Sequence, residues 1–429
     1  MAINIAASKE CEALFVAPGN AGTANMPNTR NIAIDPMNFD AVGDTVLRHD
    51  INMVVVGPEG PLVAGITDYF LNTPALKRIM VIGPNKQASQ LEGSKDYAKA
   101  FMQRHDIPTA SYRTFTADTL QEGIDYLSTL KPPYVLKADG LAAGKGVIIS
   151  QNLEEACDTL RDMLGNRRFG EASSRVVIEE YLSGIELSVF VLTDGRHYQI
   201  LPSAKDYKRI GEGDTGLNTG GMGSVSPVGF ADEAFMQKVE KRIVVPTIRG
   251  LRSENITYKG FIFLGLMAVR DESTGQLEPY VIEYNVRMGD PETESVFPRI
   301  KSDMVDLFKH VWHGTLNQVK LEVDRRAAAC VMMVAEGYPE SYEKGKVVQG
   351  LDKVMDCHVF HAGTTLQPDG SILTNGGRVL CVTSLADSFP SALLRSYQQL
   401  TKIKWDGSYY RRDIGQDLLR YMLAQAESR

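Results

Sequence analysis

The sequence predicts a multidomain protein of mixed α/β and α+β class: an open parallel-sheet unit first, a larger unit in the middle and a small α+β unit at the end. Three observations point there. The chain has 429 residues, more than one hydrophobic core usually organises, so roughly two to four domains are expected. Apolar runs at 13–17, 53–56 and 79–82 alternate with helical patterns, and each closes on a turn: Pro18-Gly19-Asn20, Gly57-Pro58 and Gly83-Pro84. Beyond residue 95 the pattern changes to longer strand signals around a glycine-rich stretch.

Taken in order, residues 1–95 have the pattern of an α/β unit with buried parallel strands, whose ligand-binding loops lie beyond the carboxyl ends of the strands. A helix is expected over 94–104, because Ser94 can cap it and Tyr97, Ala98, Phe101 and Met102 recur at helical spacing. Strands at 134–138 and 146–150 flank Asp139-Gly-Leu-Ala-Ala-Gly-Lys-Gly146, which suggests a hairpin with a mobile flap. A helix over 153–164 and strands at 176–181 and 185–192 complete a flap subdomain of about 115–185, set within a unit spanning 96–325. The polar, glycine-dense stretch 206–227 is too long for a routine connection and is a candidate functional loop. A long helix over 232–251 leads to strands at 261–269 and 280–286. The last unit, 326–429, mixes short strands with turns such as Asn375-Gly376-Gly377 and ends in an amphipathic helix.

Composition excludes several classes of function. Hydrophobic residues make up 43% and charged residues 23%, ordinary values for a soluble globular protein. The formal net charge is -7, so the chain as a whole offers no electropositive surface for nucleic acid or anionic lipid. Cys11, Cys157, Cys330, Cys357 and Cys381 are scattered without a C-x-x-C pair, which argues against a zinc site or a disulfide framework. The apolar runs 261–269 and 327–335 are too short to span a bilayer, and the first residues lack the pattern of a secretion signal. A cytoplasmic protein with no membrane or nucleic-acid partner is expected.

The strongest chemical cluster is Val281-Ile-Glu-Tyr-Asn-Val-Arg-Met-Gly-Asp-Pro-Glu292. Alternate side chains of a strand share a face, so Glu283, Asn285 and Arg287 would project together while Ile282, Tyr284 and Val286 face the core. Magnesium favours carboxylate and carbonyl oxygens and is often shared with nucleotide phosphates, which makes Glu283 and Asn285 candidate ligands for Mg2+ or Mn2+. Arg287 would hold a substrate carboxylate or a transferring phosphoryl group. An isolated alternating strand more often presents a salt-bridged surface; the Gly-Asp-Pro-Glu turn directly after it favours the functional reading.

A second cluster joins Lys137 to the flap 140–146, where glycines allow close backbone approach to phosphates and Lys137 and Lys145 supply charge. It is not a Walker A loop, since Gly146 follows Lys145 and no glycine stands at the required upstream position. A flexible hairpin tip fits these residues equally well. Val177-Ile-Glu-Glu-Tyr-Leu-Ser-Gly-Ile-Glu186 can offer backbone groups to adenine and a carboxylate to ribose, or be a solvated acidic edge. In the long loop, Asp206 would pair with a substrate ammonium and Lys208 or Arg209 with phosphate, with a plain surface loop as the competing account. Arg287, Asp206 and Lys208 are the catalytic candidates. The pairs His310-x-x-His313 and His358-x-x-His361 lack a third metal ligand, and no nucleophile elbow G-x-S-x-G is present.

Together, Ala17-Pro-Gly-Asn-Ala-Gly-Thr23, Gly57-Pro-Glu-Gly-Pro-Leu62, Leu91-Glu-Gly-Ser-Lys95, Lys137-Ala-Asp-Gly-Leu-Ala-Ala-Gly-Lys-Gly146, Asn218-Thr-Gly-Gly-Met-Gly223 and Arg287-Met-Gly-Asp-Pro-Glu292 resemble the ATP-grasp ligases, and within them the glycinamide ribonucleotide synthetase family. The resemblance covers nearly the whole chain. It implies an ATP-grasp fold and the joining of glycine to 5-phosphoribosylamine with ATP, through glycyl phosphate, by a monomer or homodimer of purine biosynthesis. It implies ATP contacts at Lys95, Lys137, Gly140, Gly144, Lys145 and Gly146, adenine contacts at Glu179, Glu180 and Leu182, and ribose near Glu186. It further implies substrate contacts at Gly19, Asn20, Gly22, Asn218, Gly220, Gly221, Arg287, Gly289 and Asp290.

Departures from the family are Met288 and Glu294, neither a required ligand, and the start of the chain. Family members open with a strand and a G-x-G-G-R-E-H-like loop serving the phosphate of phosphoribosylamine. Here the chain begins Met1-Ala-Ile-Asn-Ile-Ala-Ala-Ser-Lys-Glu10, so the expectation is an N-terminal unit without its first strand and loop, less stable, binding nucleotide but impaired with phosphoribosylamine. The alternatives are an ATP-grasp ligase with another acceptor, distinguished by which substrates stimulate ADP release, and a nucleotide-binding protein that binds metal-ATP without forming an amide.

Overall fold

The computed structural model describes residues 1–142 and 146–427. In the N-terminal unit, Leu14–Val16 pairs in parallel with Thr29–Asn31, and Met53–Val55 pairs in parallel with Met80–Ile82. The expected parallel strands are therefore present, but as two separate pairs of three-residue strands. Helix Phe39–Arg48 is started by Asn38, whose side chain accepts the Ala41 N–H, and ends on Arg48, matching the helix dipole. Ile82 is buried in a cluster with Phe261 and Phe308, and Met53 and Val55 pack against it, which seats this unit on the central one. The first helix, Ala2–Ala6, lies on the same cluster; Asn4 donates to Phe297 O and Ser8 to the Asp303 carboxylate.

The central unit is built on two antiparallel four-stranded sheets. The first orders its strands Tyr112–Thr116, Arg175–Glu179, Tyr134–Ala138 and Val147–Ser150. Helices Leu120–Thr129 and Leu153–Gly165 cover it and enclose a small core that includes Leu136, Leu160 and Ile178. Complete burial of one such side chain contributes about 1.5–3 kcal/mol, so this subdomain carries its own cohesion. The second sheet orders Tyr198–Ile200, Ile185–Thr193, Gly260–Arg270 and Leu277–Asn285. The two sheets meet where Lys137 donates to the carbonyl of Ile282 at 3.2 Å.

Helix Lys95–Arg104 begins as the sequence predicts, with the Ser94 hydroxyl accepting the Tyr97 N–H. The long helix expected over 232–251 runs from Glu233 to Ser253 but contains a π-helical turn over Glu240–Val244. Pro246, just beyond, has no N–H to donate, and a widened turn is a usual accommodation of such a break in the hydrogen-bond ladder.

Two departures bear on function. The stretch expected as a polar loop is a twisted hairpin, in which Arg209–Gly211 pairs with Thr215–Asn218 across a turn where Gly213 and Asp214 take left-handed backbone angles. Lys205–Asp206 and Gly223–Ser226 at its base join a six-stranded sheet with Ala327–Ala335, Arg378–Ala386, His358–His361 and Ser408–Tyr409 of the last unit. Pairing across residue 325 thus fuses the central and C-terminal units through their backbones. Arg411, almost fully buried, reinforces the junction by donating to Arg209 O and to Asp214.

Candidate active site

Lys137 comes from a strand buried along its whole length and Lys95 from the first turn of a capped helix. Glu283 lies on the edge strand of the second sheet, and Lys208 at the start of the hairpin. These elements bring their charges to one place. Burial alone would push the Glu283 carboxyl up, but Lys208, Lys137, Lys95 and Arg287 outweigh it and hold the group below its ordinary range. Burial and the nearby Lys137 depress the Lys95 ammonium, which donates to Gly140 O at 3.2 Å. Four cations around one carboxylate make a site suited to polyanionic phosphate.

Of the two candidates Lys208 and Arg209, Lys208 is the one that lies among carboxylates. Its ammonium lies 3.2 Å from Glu186 and 4.0 Å from Asp206, whose charges raise its pKa well above the ordinary lysine value. Glu186 is held low, chiefly by Lys208. Arg209 instead donates to Gly216 O within the hairpin. Asp206 is pushed up by burial, as is Glu292, which reaches about 8 and accepts from the Ser188 hydroxyl.

Arg287 is gripped by two carboxylates, Glu92 at 3.0 Å and Glu59 at 3.3 Å. Glu92 also accepts the Val286 N–H at 2.7 Å; burial nevertheless raises it to about 7, against the pull of Arg287. Asn285 accepts weakly from Arg287 at 3.4 Å, and its buried Nδ2 has no partner among the described residues. Glu283 and Asn285 therefore offer two hard oxygen donors at one spot. Among the described residues no group of three His, Cys, Asp or Glu side chains is arranged to hold a metal ion. The pair fits a divalent cation that takes its remaining ligands from phosphate and water.

The base of the flap is tied to the same helix that carries Lys95. The Asp139 carboxylate accepts from Ser94 Oγ at 2.9 Å and from the Asp96 N–H at 2.8 Å, and Gly146 O accepts the Ala138 N–H. Gly144 and Lys145 lie outside the described residues. In the segment expected to border adenine, the strand ends at Glu179; Glu180 is exposed and bonds Ser111 through both backbone and side chain, and Leu182 is half-buried. Gly184 crosses the neighbouring strand so closely that a Cβ there would stand 2.2 Å from Ala268 O.

The residues expected to contact substrate divide. Gly220, Gly221, Gly289 and Asp290 converge: Gly221, with φ of +116°, lies against Pro291, where a Cβ would come within 2.3 Å. Asn218 pairs with Arg209 in the hairpin. The loop of Gly19, Asn20 and Gly22 packs on Asn31 and on His361 of the C-terminal unit. The Asn20 amide caps its own helix through Thr23 and donates to His361 O at 2.6 Å, while Gly22 packs against the His361 ring. What this loop can offer a ligand is backbone, since both ends of the Asn20 side chain are committed.

Sequence reading missed Lys99. Its ammonium is buried, 3.2 Å from Glu179, which also binds Lys137 at 2.9 Å, and it donates to Thr109 Oγ1. Burial lowers it to about 8 against the attraction of Glu179. A signal existed: Lys99 stands one turn from Lys95, amid the apolar Ala98, Phe101 and Met102.

Two antiparallel four-stranded sheets that meet at Lys137, with a lysine-ringed carboxylate, define an ATP-grasp protein, and family models agree. The ATP-grasp (A) domain of phosphoribosylglycinamide synthetase matches residues 93–293, its N domain 1–92 and its C domain 328–417. The chain belongs to the phosphoribosylglycinamide synthetase family. It is 45% identical over 417 residues to the phosphoribosylamine–glycine ligase of Salmonella typhimurium, covering 97% of this chain and 95% of that protein. The Pseudomonas aeruginosa enzyme of the same name is 43% identical, with 97% and 94% covered. The crystal structure of phosphoribosylamine–glycine ligase from Thermotoga maritima superposes with a TM-score of 0.80 at 34% identity, covering 96% of each chain. The biotin carboxylase domain of Hydrogenobacter thermophilus 2-oxoglutarate carboxylase, at 17% identity and a TM-score of 0.66 over 92% of this chain and 86% of that one, shares the fold.

Proposed function

We propose that this chain joins glycine to 5-phosphoribosylamine with ATP, yielding glycinamide ribonucleotide, ADP and phosphate in purine biosynthesis. The observation that carries the reading is the convergence of Lys95, Lys137, Lys208 and Arg287 on Glu283, in a chain similar along nearly its whole length to ligases of that name.

In the reaction a glycine carboxylate oxygen attacks the γ-phosphorus of ATP; the bond to the bridging oxygen breaks and ADP leaves. The amine of phosphoribosylamine then attacks the carbonyl carbon of glycyl phosphate, loses a proton and expels phosphate. No protein nucleophile is needed, so positioning and charge neutralisation carry the catalysis. Lys95 and Lys137 would hold phosphates, the 179–182 segment the adenine edge, and Glu186 the ribose. Lys208 and Asp206 would sit between the nucleotide and acceptor sides, and Arg287 would orient the glycine carboxylate. A divalent cation, magnesium or manganese, would bind at Glu283 and Asn285 and neutralise phosphate charge. The flap would exclude water from the acyl phosphate.

The five cysteines are free, as suits a reducing compartment, and no helix among the described residues is long and apolar enough to cross a membrane. These features support a cytoplasmic site of action. The test is ADP release with each substrate omitted in turn, together with the mass of the product. Release should require glycine and phosphoribosylamine together and yield the mass of glycinamide ribonucleotide; release indifferent to phosphoribosylamine would contradict the assignment of acceptor.

A further inference from the structure

The C-terminal unit reaches into the acceptor side through residues that neither the sequence motifs nor the reaction above employ. Asn375-Gly376-Gly377 reads as a simple turn, yet the residue after it, Arg378, directs its guanidinium across the junction. Nη1 donates to Gly220 O at 2.8 Å and to Asp290 O at 3.2 Å, and Nη2 donates to the Asp290 carboxylate at 2.8 Å. From the same unit the Tyr338 hydroxyl accepts the Gly220 N–H at 2.9 Å. The Tyr338 ring lies on Gly377, where a Cβ would be 2.2 Å from it, so the glycine before Arg378 is what lets the tyrosine in.

These contacts have a common object. The 219–221 turn and the 289–291 turn press against each other at Gly221 and Pro291. Arg378 bonds both turns at once and Tyr338 holds the first. A planar guanidinium serves these three acceptors on two chain segments with a fixed fork of donors that a lysine ammonium lacks. The Arg378 side chain is 19% exposed, while the Asp290 carboxylate that it bonds is 55% exposed. The second turn follows Arg287 directly, and displacing it would displace that guanidinium too.

We propose that Arg378 and Tyr338 are positioning residues for the acceptor half of the reaction. They fix the spacing of the two glycine turns, and hence the placing of glycine and phosphoribosylamine, without contacting ATP. The C-terminal unit is by this account part of the catalytic apparatus and more than a brace. The inference rests on the ligase reading above and deepens it.

The experiment uses the full chain with R378A, R378K and Y338F, varying each substrate in turn and recording thermal melting alongside. R378A should raise KM for glycine or phosphoribosylamine about tenfold, the order expected for a lost charged hydrogen bond, with KM for ATP changed by less than about twofold. R378K should recover little, whereas added guanidinium ion should restore R378A in part. Y338F, which removes one hydroxyl, should shift the same constants by about threefold and keeps the test open if R378A does not fold. Equal movement of all three KM values, or none, would overturn the inference. An unmodified chain that turns over with unaffected variants sinks this inference alone, while an inactive unmodified chain sinks it together with the ligase reading.

Discussion

Glu92 binds the side chain of Arg287 and the backbone that carries it: one carboxylate oxygen lies 3.0 Å from Arg287 Nη2, and the other accepts the Val286 N–H at 2.7 Å. A single buried acid therefore sets both the path of the strand's end and the direction of the guanidinium. Glu59, from the N-terminal unit, completes the grip at Nε.

Glu92→Gln preserves shape and the acceptor for Val286 but removes the charge, leaving Arg287 to Glu59 alone. We expect kcat/KM for glycine to fall about tenfold, corresponding to one charged hydrogen bond, with ATP-analogue affinity unchanged by calorimetry. Equal losses for both ligands would place Glu92 in general scaffolding.

Lys99 and Lys137 share the Glu179 carboxylate in a buried setting. Two ammonium groups share one carboxylate, so Lys99→Met leaves the balanced pair Lys137–Glu179 and should cost about 1 kcal/mol, whereas Glu179→Gln leaves both ammoniums unpaired and should destabilise the chain by about 3 kcal/mol. The double change Lys99→Met with Glu179→Gln should recover at least about 1 kcal/mol of that loss if the pair is coupled. Strict additivity in denaturant titrations would show that the contact has no energetic weight.

Glu294 has a buried carboxylate oxygen without a hydrogen-bond partner among the described residues, and burial, aided by Asp290, raises its pKa to about 8. The folded chain thus holds a proton that the unfolded chain releases near pH 4.5. Its contribution is fully present below that pH and is lost as pH rises through about 8. Glu294→Gln should leave stability at pH 5 little changed and raise it by about 1–3 kcal/mol at pH 9, where the unpaired carboxylate would otherwise be buried. Melting temperatures that track the unmodified chain at both pH values would contradict this.

The expected fold class, the ATP-grasp resemblance and most element positions were legible in the sequence because each rests on local signals. Ser94 caps the helix that begins at Lys95, and the strand bounds predicted at 134–138 match Tyr134–Ala138. The convergence on Glu283 followed from the two-residue period of its strand and from the order of the motifs. What sequence periodicity could not reveal is long-range. The 206–227 stretch has little apolar pattern, yet Tyr207, Met222 and Val225 are buried in the main core, and its hairpin is held by strand pairing and by Arg411 from about 200 residues away. Nor does local pattern show that the Asn20 amide both caps its own helix and reaches His361. Glu92 lay inside a recognised motif, but its partner is 194 positions further along the chain.

The central claim is that glycine is activated at its carboxylate by phosphoryl transfer in the lysine-ringed site around Glu283. Incubation with ATP, phosphoribosylamine and glycine labelled with oxygen-18 in the carboxylate, followed by mass analysis of the released phosphate, tests it most directly. One labelled oxygen should appear in inorganic phosphate alongside ADP. Unlabelled phosphate, or AMP with pyrophosphate, would contradict the account.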